Sequence, residues 1–376
     1  MSMDLTRVPT EERLQDLRFW RDALFFAVLV LLGLGLVLAA TIEGPRIGLL
    51  PALQARALRI GIGLLVLFLA ARFRWALLRP RMGLLYAFVV GLCLLPVLFV
   101  GATKGATRWI ELGPVSFQPV EMLKPLTVMA VAEFALRRGE RLQSFWGGFV
   151  PAALPVLGAV GVLLLQPDVG HSLFLMAITA AILLLAGVRL RYLLAVGLVG
   201  VVAMGLVMLL GFFHTQSRIA RFLAAEPAFQ IRRAQVAMSE GGLMGVGPGA
   251  GWAKDGYVPE ARNDFVLAIL GNEFGLFGSL LALACFSVIF VASLRIARAA
   301  QTRWEGLVAF GLGYILVLQV ALNVLGVTHT IPEKGIDLPL LSSGGTNLVF
   351  ALASMGILAG IASRVLRDAG EGEFSE

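Results

Sequence analysis

One long polar stretch of the chain places basic residues among large apolar ones. Arg218 and Arg221 open the segment 217–240, in which arginines alternate with phenylalanine, isoleucine and valine. A guanidinium group can bind two phosphate oxygens through parallel hydrogen bonds, so this segment could hold a phosphate or diphosphate group. An amphipathic basic segment could equally lie on the headgroups of a membrane. The sequence leaves both interpretations open.

A second group of polar residues marks the start of a predicted helix. Gln118, Glu121 and Lys124 recur at a spacing of three, so their side chains share one helical face. Pro119 suits the first helical position, and Glu121 then falls in the first turn, where the helix dipole favours an anion. Glu121 and Lys124 therefore form either an ion pair at a capped helix start or the polar wall of a cavity.

Two turns carry residues that either act on a ligand or only shape the chain. Asp168 lies in a tight connection between two apolar runs, where its carboxylate would cap the next helix. Ser342, Gly344 and Gly345 precede the last apolar run. A hydroxyl group and backbone amides at a helix N-terminus form an anion site, and they also form an ordinary N-cap.

A glycine-rich stretch at residues 241–251 comes directly before Lys254 and Asp255. Such a stretch lets the backbone approach a ligand closely, or it forms a flexible loop. It lacks the Lys-Ser/Thr ending of a phosphate-binding P-loop, which excludes a nucleotide site of that kind. Asp255 precedes a glycine, and this pattern alone is more typical of a turn than of a catalytic residue.

The elements that position these residues are predicted to be membrane-spanning helices. Hydrophobic residues make up 58% of the 376 residues and charged residues 15%, and the mean hydropathy is +0.86. A spanning helix needs roughly 20 apolar residues, and solid apolar runs of that length exclude barrel strands, which alternate. We predict one all-α polytopic membrane domain over residues 1–376. Its ten runs lie near 20–40, 55–72, 82–102, 120–136, 147–165, 171–188, 192–213, 264–294, 306–328 and 345–363.

The distribution of arginine predicts the orientation. With a cytoplasmic N-terminus, the inner segments hold 18 of the 27 arginines and none of the four lysines. Both termini are then cytoplasmic, and one long outer loop, residues 214–263, joins the seventh and eighth spans. The basic pI near 10 reflects this inside-positive arginine, so no nucleic-acid partner is expected.

Five motifs, taken in order, resemble the SEDS family (shape, elongation, division, sporulation), and within it the elongation branch more than the division branch. The first is Gly105-Ala-Thr-Arg-Trp-Ile110 together with Gln118-Pro-Val-Glu121 and Lys124. The others are Gln166-Pro-Asp-Val-Gly170, Gly241-Gly-Leu-Met-Gly-Val-Gly247, Pro259-Glu-Ala-Arg-Asn-Asp-Phe265 and Leu338-Pro-Leu-Leu-Ser-Ser-Gly-Gly345.

This resemblance implies a peptidoglycan glycosyltransferase of the bacterial cytoplasmic membrane. Such an enzyme polymerises lipid II, an undecaprenyl-diphosphate-linked sugar, on the outer face, with a class B penicillin-binding protein as its partner. The resemblance also implies that Asp255 is essential. We expect it to act as the base for the attacking sugar hydroxyl, with metal ligation as the alternative role.

The remaining site residues follow from the same expectation. A departing diphosphate needs cations, and the expected ones are Arg108, Lys124, Arg218 and Arg221. A divalent cation, Mg²⁺ or Mn²⁺, could bridge a carboxylate and the diphosphate, with no metal ligands assigned. The other residues expected at the substrate are Trp109, Glu121, Asp168, Lys254, Ser342, Gly344 and Gly345.

Two other functions fit an anionic-lipid site of this kind. A lipid II flippase would need a polar path through to the cytoplasmic side, whereas the polar residues are massed on the outer side. A non-catalytic scaffold would need only a helix face for its partner, and would leave Asp255 and the outer cations without a purpose.

Overall fold

Helices make up most of the residues that the structure describes. A computed structural model describes residues 11–99, 108–112, 115–209, 227–258, 260–332 and 335–373. The helices are α1 (Glu11–Ile47), α2 (Leu49–Arg72), α3 (Met82–Phe99), α4 (Pro119–Arg138), α5 (Val150–Leu165), α6 (Val169–Ala186), α7 (Leu190–Leu209), α8 (Phe229–Gly241), α9 (Val266–Ala299), α10 (Arg303–Val327) and α11 (Gly345–Glu373). A small antiparallel hairpin, β1 (Ile110–Leu112) and β2 (Val115–Phe117), precedes α4 and pairs Glu111 with Ser116.

Each of the ten predicted apolar runs coincides with one of these helices. Within the described residues, eight helices are long and apolar enough to cross a membrane. The two other runs correspond to α4, which carries charged residues, and to α7, whose described apolar stretch is Leu190–Gly200. Large apolar side chains such as Leu84 and Phe26 are exposed on the outside of the bundle, as contact with lipid requires. The prediction of an all-α, multi-span membrane protein is confirmed.

Helix α4 lies at the centre of the bundle and packs against α3, α6 and α10. Almost every side chain from Pro119 to Ala135 is buried. Because lipid is as apolar as leucine, such an interior is held by close packing more than by the hydrophobic effect. The polar residues of α4 are therefore enclosed by protein.

Helices α2 and α11 approach each other closely through small residues. Gly356 and Gly360 stand four positions apart on α11, in the spacing that lets two membrane helices touch backbone to backbone. A Cβ atom added to Gly356 would collide with the carbonyl oxygen of Leu67, and one added to Gly360 with that of Ala71. This contact holds the middle of α11 against the C-terminal part of α2.

Both described ends of the chain lie at the same end of the bundle. Arg295, near the end of α9, is 3.5 Å from Asp16 of α1. Gln301, just beyond α9, donates a 2.7 Å hydrogen bond to Asp368 of α11. An even number of crossings requires this arrangement. The cytoplasmic position of that end stays a prediction.

Helix α9 is broken at Gly275, where φ is +66° and ψ is −161°. The glycine stretch fills the break with its backbone. Val246 and Gly247 donate hydrogen bonds to the carbonyls of Asn272 and Glu273, at 3.0 Å each. Beyond the break, Leu276 donates to the carbonyl of Gly242 and Phe277 to that of Leu243, at 2.9 and 3.2 Å.

Two glycines of this stretch, Gly241 and Gly245, are required by that contact. A Cβ atom at Gly241 would collide with the carbonyl oxygen of Gly271, and one at Gly245 with that of Glu273. Gly245 also has a φ of +83°, a backbone conformation that favours glycine. The stretch therefore packs against a broken helix. The sequence indicated either a close approach to a ligand or a flexible loop, and it did not predict this contact.

Candidate functional site

A line of charged side chains connects the starts of α4 and α6. Lys124 Nζ lies 2.6 Å from Glu121 Oε1, and His171 Nε2 lies 3.8 Å from the same oxygen. The other ring nitrogen of His171, Nδ1, lies 2.8 Å from Asp168 Oδ2, and Arg108 Nε is 3.4 Å from that oxygen. We call these five residues the charged cluster. Four of them are buried and Arg108 is half-buried, so their charges are compensated mainly by each other.

Local helix geometry builds the charged cluster. Asp168 is the N-cap of α6, and its Oδ1 accepts a 3.2 Å hydrogen bond from the backbone amide of His171. One carboxylate thus caps the helix and holds the His171 ring, while Arg108 also donates a 2.7 Å bond to the carbonyl of Pro167. The predicted cap is present, and it is part of an ion network.

The Glu121–Lys124 pair faces a small cavity between α4, α10 and α11. The cavity has a volume of about 20 Å³, room for about a single water molecule. Its polar lining includes Gln319, Asn347 and Ser354. The Nδ2 atom of buried Asn347 has no hydrogen-bond partner among the described residues. The pair therefore combines both sequence-based interpretations, since it is an ion pair at a helix start and part of a cavity wall.

Asp337 brings a further carboxyl group to this region. Burial and, next, the Glu121 carboxylate raise the pKa of Asp337 to about 6, and Lys124 and His171 act in the opposite direction. Asp337 also exchanges a hydrogen bond with Asp264. A Cβ atom at Gly344 would lie 2.5 Å from Asp337 Oδ2. The start of α11 therefore already has a carboxyl group of the protein beside it.

The turn before α11 is held by polar contacts that use its hydroxyl group. Ser342 Oγ accepts a 2.9 Å hydrogen bond from the amide of Leu338 and donates a 2.7 Å bond to the carbonyl of Asn263. The buried guanidinium of Arg56 donates to the carbonyls of Leu340 and Ser342, at 2.5 and 2.7 Å. The Ser342 hydroxyl thus stabilises the turn, while Gly344 lies beside Asp337 and Gly345 begins α11.

Asp255 lies in a tight turn, Ala253–Tyr257, which follows the glycine stretch. The structure describes the backbone of Asp255, and its side chain lies outside the described part. The neighbouring Lys254 is buried and its Nζ lies 3.0 Å from Glu273 Oε1 of α9. The expected role of Lys254 at the substrate therefore competes with an internal ion pair.

Three of the expected ligand residues lie outside the described residues or at the surface. Arg218 and Arg221 fall in 210–226, which the structure does not describe. Trp109 is exposed at the start of the β hairpin. The described part of the basic segment forms α8, which buries Ile231, Ala234 and Ala237 against its neighbours and turns Arg232 outward. Its amphipathic character is thus confirmed for residues 229–241.

The described residues provide no complete metal site. They contain no group of three or more His, Cys, Asp or Glu side chains arranged to hold a metal ion. Glu121, Asp168 and Glu273 are each neutralised by a lysine, arginine or histidine. A divalent cation would need ligands from its substrate, which is the usual arrangement for Mg²⁺ at phosphates.

Four residues of this site were not predicted from the sequence, namely His171, Glu273, Gln319 and Asn347. His171 stands three residues after Asp168, so helical spacing could have placed the two together. Glu273, Gln319 and Asn347 are polar residues within predicted spans, and polar residues in a membrane interior are expected to be functional or paired.

Fold and site together define a multi-span helical membrane protein in which the described ion pairs with both partners buried gather at one end of the bundle. Residues 18–366 match the family model of the FtsW/RodA/SpoVE cell cycle proteins. The chain belongs to this family, which is the one that its motifs resemble.

The individual relatives come from two branches of that family. The probable peptidoglycan glycosyltransferase FtsW of Thioalkalivibrio sulfidiphilus is 35% identical over 353 residues, covering 89% of this chain and 87% of the relative. A chain of a peptidoglycan synthase complex that coordinates polymerization and crosslinking is 25% identical, with a TM-score of 0.75 over 91% of this chain and 97% of that one. The rod shape determining protein RodA of Thermus thermophilus is also 25% identical, with a TM-score of 0.66 over 90% and 95% of the two chains. These comparisons support the family and not one branch of it.

Proposed function

We propose that this protein is a peptidoglycan glycosyltransferase that polymerises lipid II at the outer face of the bacterial cytoplasmic membrane. The observation that carries the proposal is the charged cluster, buried at the same end of the bundle as the motifs that define the family. A relative 35% identical over most of the chain bears this activity in its name. Buried ionisable groups within a membrane protein are expensive and mark functional sites.

In the proposed reaction, the 4-hydroxyl group of one sugar attacks the anomeric carbon of another. The new glycosidic bond forms as the bond from that carbon to the diphosphate breaks, and the diphosphate leaves with the electron pair. Asp255 accepts the hydroxyl proton. Lys124 and Arg108, with Arg218 and Arg221 of the basic segment, stabilise the negative charge on the departing diphosphate.

The interior favours an enzyme over a flippase. On α4, the five residues 128–132, between Lys124 and Glu133, are apolar and at most 2% exposed. Trp304 closes this region from α10 and donates a 3.3 Å hydrogen bond to the carbonyl of Met129. A headgroup carrying a diphosphate would need polar partners along its path. Between Lys124 and Glu133, α4 carries no charged side chain, and its one polar side chain there, Thr127, donates a 2.8 Å hydrogen bond to the carbonyl of Leu123.

A divalent cation is part of the proposal as a component of the bound substrate. Diphosphate oxygens would supply most of its ligands, with a carboxylate completing the set. When bound, such a cation would draw negative charge from the leaving group. The residues of the chain do the rest, because they hold the sugars, exclude water and accept the proton.

We propose a class B penicillin-binding protein as partner and cell elongation as the process. The similar synthase complex joins polymerization to crosslinking, and crosslinking is the work of a transpeptidase. The solved RodA structure supports elongation, whereas the relatives named FtsW favour division. Depletion in a rod-shaped host that depends on this protein separates the two, since loss of elongation gives round cells and loss of division gives filaments.

The decisive experiment supplies purified protein with labelled lipid II, with and without the transpeptidase. Glycan polymer that disappears in the Asp255→Asn variant supports the proposal. Movement of lipid II across liposomes without polymer indicates a flippase. If neither occurs, while cells still require the protein, it is a scaffold and the proposed activity is wrong.

A further inference from the structure

An ion pair beneath the Asp255 turn has no part in the proposed reaction as it stands. Lys254 and Glu273 are 5% and 1% exposed, and 3.0 Å separates Nζ from Oε1. No donor among the described residues reaches the other carboxylate oxygen, Oε2 of Glu273. Lys254 is thus the described group that balances this buried carboxylate. Two charges removed from water in this way are costly unless they stay together.

Glu273, the partner of Lys254, lies beside the break in α9. Glu273 precedes the break in α9 by two residues, and its own carbonyl accepts the 3.0 Å hydrogen bond from Gly247. The same residue thus holds the glycine stretch through its backbone and the Asp255 turn through its side chain. Space is limited around this contact, because a Cβ atom at Gly251 would lie 3.0 Å from Cγ of Glu273.

The far side of the turn is held by an independent contact. Arg233 of α8 lies over the rings of Phe229 and Tyr257, at 3.8 and 3.9 Å from their centroids, and donates a 2.7 Å hydrogen bond to the carbonyl of Tyr257. Trp252, at the near end, packs edge to face on Tyr257 and donates a hydrogen bond to Glu240. The turn is therefore anchored to α8 at its edges and to α9 at Lys254.

We propose that the Lys254–Glu273 ion pair is a positioning device that fixes the Asp255 turn against the broken helix α9. Lys254 then serves the reaction through the backbone of its neighbour, and does not bind the diphosphate. The inference rests on the proposed function in taking Asp255 as the base. It replaces the expectation that Lys254 contacts the substrate.

The physical reason for such a device is the sensitivity of proton transfer to distance. A base must come within hydrogen-bond reach of the hydroxyl proton, and a misplacement of about 1 Å can cost about 100-fold in rate. Glycines dominate the stretch before Asp255 and lose more freedom on folding than other residues. A buried ion pair that forms in one register only would restore the required order.

The test compares Glu273→Gln with wild type in steady-state polymerisation and in hydrogen exchange of the purified full-length protein. We expect kcat to fall by about 10- to 100-fold, with the KM for lipid II changed by less than about threefold. We also expect faster exchange in the peptide 252–258, whose Val258 amide bonds to the carbonyl of Ala253. Glu305→Gln is the matched control, because Glu305 pairs with Arg364 at 3.0 Å at the opposite end of the bundle. That control should leave exchange in 252–258 and kcat unchanged.

Charge reversal separates positioning from substrate binding. The single changes Lys254→Glu and Glu273→Lys should both slow turnover, and the double change should recover part of the lost kcat and of the lost protection. If Lys254 instead binds the diphosphate, no recovery is expected, because the double variant has a carboxylate at position 254. A raised KM with unchanged kcat in Lys254→Gln would also overturn the proposal.

Hydrogen exchange keeps this inference distinct from the proposed function, because protection of the turn needs no turnover. Unchanged exchange in Glu273→Gln would contradict the positioning role even if activity fell. An active Asp255→Asn variant would contradict the assignment of the base, whatever the exchange shows.

Discussion

Lys124 and Glu121 form an ion pair of 2.6 Å inside the bundle, and neither residue has more than 5% of its surface exposed. They stand three residues apart on α4, so the helix itself sets their spacing. His171 touches the same carboxylate from α6. The pair therefore contributes both to the packing of α4 against α6 and to the charge of the site, so that loss of the pair affects stability and activity.

Removing one member of this pair should cost stability as well as activity. Lys124→Met leaves the Glu121 carboxylate buried with a weaker partner, and breaking a buried pair costs about 3–5 kcal/mol. We expect a lower melting temperature in detergent and a strong loss of polymerisation. The double variant Lys124→Met/Glu121→Gln should regain much of the stability and none of the activity. Recovery of activity in the double variant would show that the pair serves folding alone.

Asp255→Asn should lower the rate of polymerisation by about 10²- to 10⁴-fold, the usual contribution of a general base. Binding of lipid II should change far less, because it depends on the lipid tails and the cationic side chains. Titration of Mg²⁺ and Mn²⁺ in the variant distinguishes the two roles of Asp255. If raised metal restores turnover, Asp255 is a metal ligand and the base assignment is wrong.

Metal should act together with the substrate and not on the protein alone. Since the described residues provide no group of three metal-binding side chains, we expect Mg²⁺ to leave the melting temperature of the free protein unchanged. Chelation should still abolish polymerisation, because the diphosphate would lose its cation. A thermal shift with Mg²⁺ in the absence of lipid II would reveal a protein-only site and contradict this expectation.

The raised pKa of Asp337 predicts how stability depends on pH. Burial and the nearby Glu121 carboxylate raise this pKa from 3.8 to about 6. The folded protein therefore binds the proton more tightly than the unfolded chain. The stabilisation is complete below pH 4 and is lost as pH rises through 6. Asp337→Asn should thus melt higher than wild type at pH 7.5, and the difference should vanish near pH 4. A variant that melts lower at pH 7.5 would contradict the sign.

The spans could be predicted from the sequence because the membrane imposes them. Each run of apolar residues must form a helix that satisfies its own backbone, so α1 and α10 follow from composition alone. The Glu121–Lys124 contact was also predictable, because it depends on helical spacing within α4. The Asp168–His171 contact depends on the same rule.

The contacts between distant segments could not be predicted in this way. Arg56 reaches the carbonyls of Leu340 and Ser342 across more than 280 positions, and no periodicity encodes that distance. The glycine stretch indicated that its backbone approaches another group closely. Its partner is the break at Gly275, which could not be predicted because it lies inside a continuous apolar run. Lys254 was expected to bind the substrate because its partner, Glu273, lies in the next predicted span and the sequence does not show that the two are in contact.

The contact between the glycine stretch and α9 predicts a difference between two neighbouring glycines. Both Gly242 and Gly245 have positive φ angles, +53° and +83°, so alanine at either position carries backbone strain, on the order of 1–3 kcal/mol. They differ in their surroundings. A Cβ atom at Gly242 meets nothing within 4 Å, whereas one at Gly245 collides with the carbonyl of Glu273.

Gly245→Ala should therefore lower the melting temperature more than Gly242→Ala, and should displace the Asp255 turn. Thermal melts and polymerisation rates of the two variants provide the measurement. Equal effects on both would mean that the stretch does not pack against α9 as described.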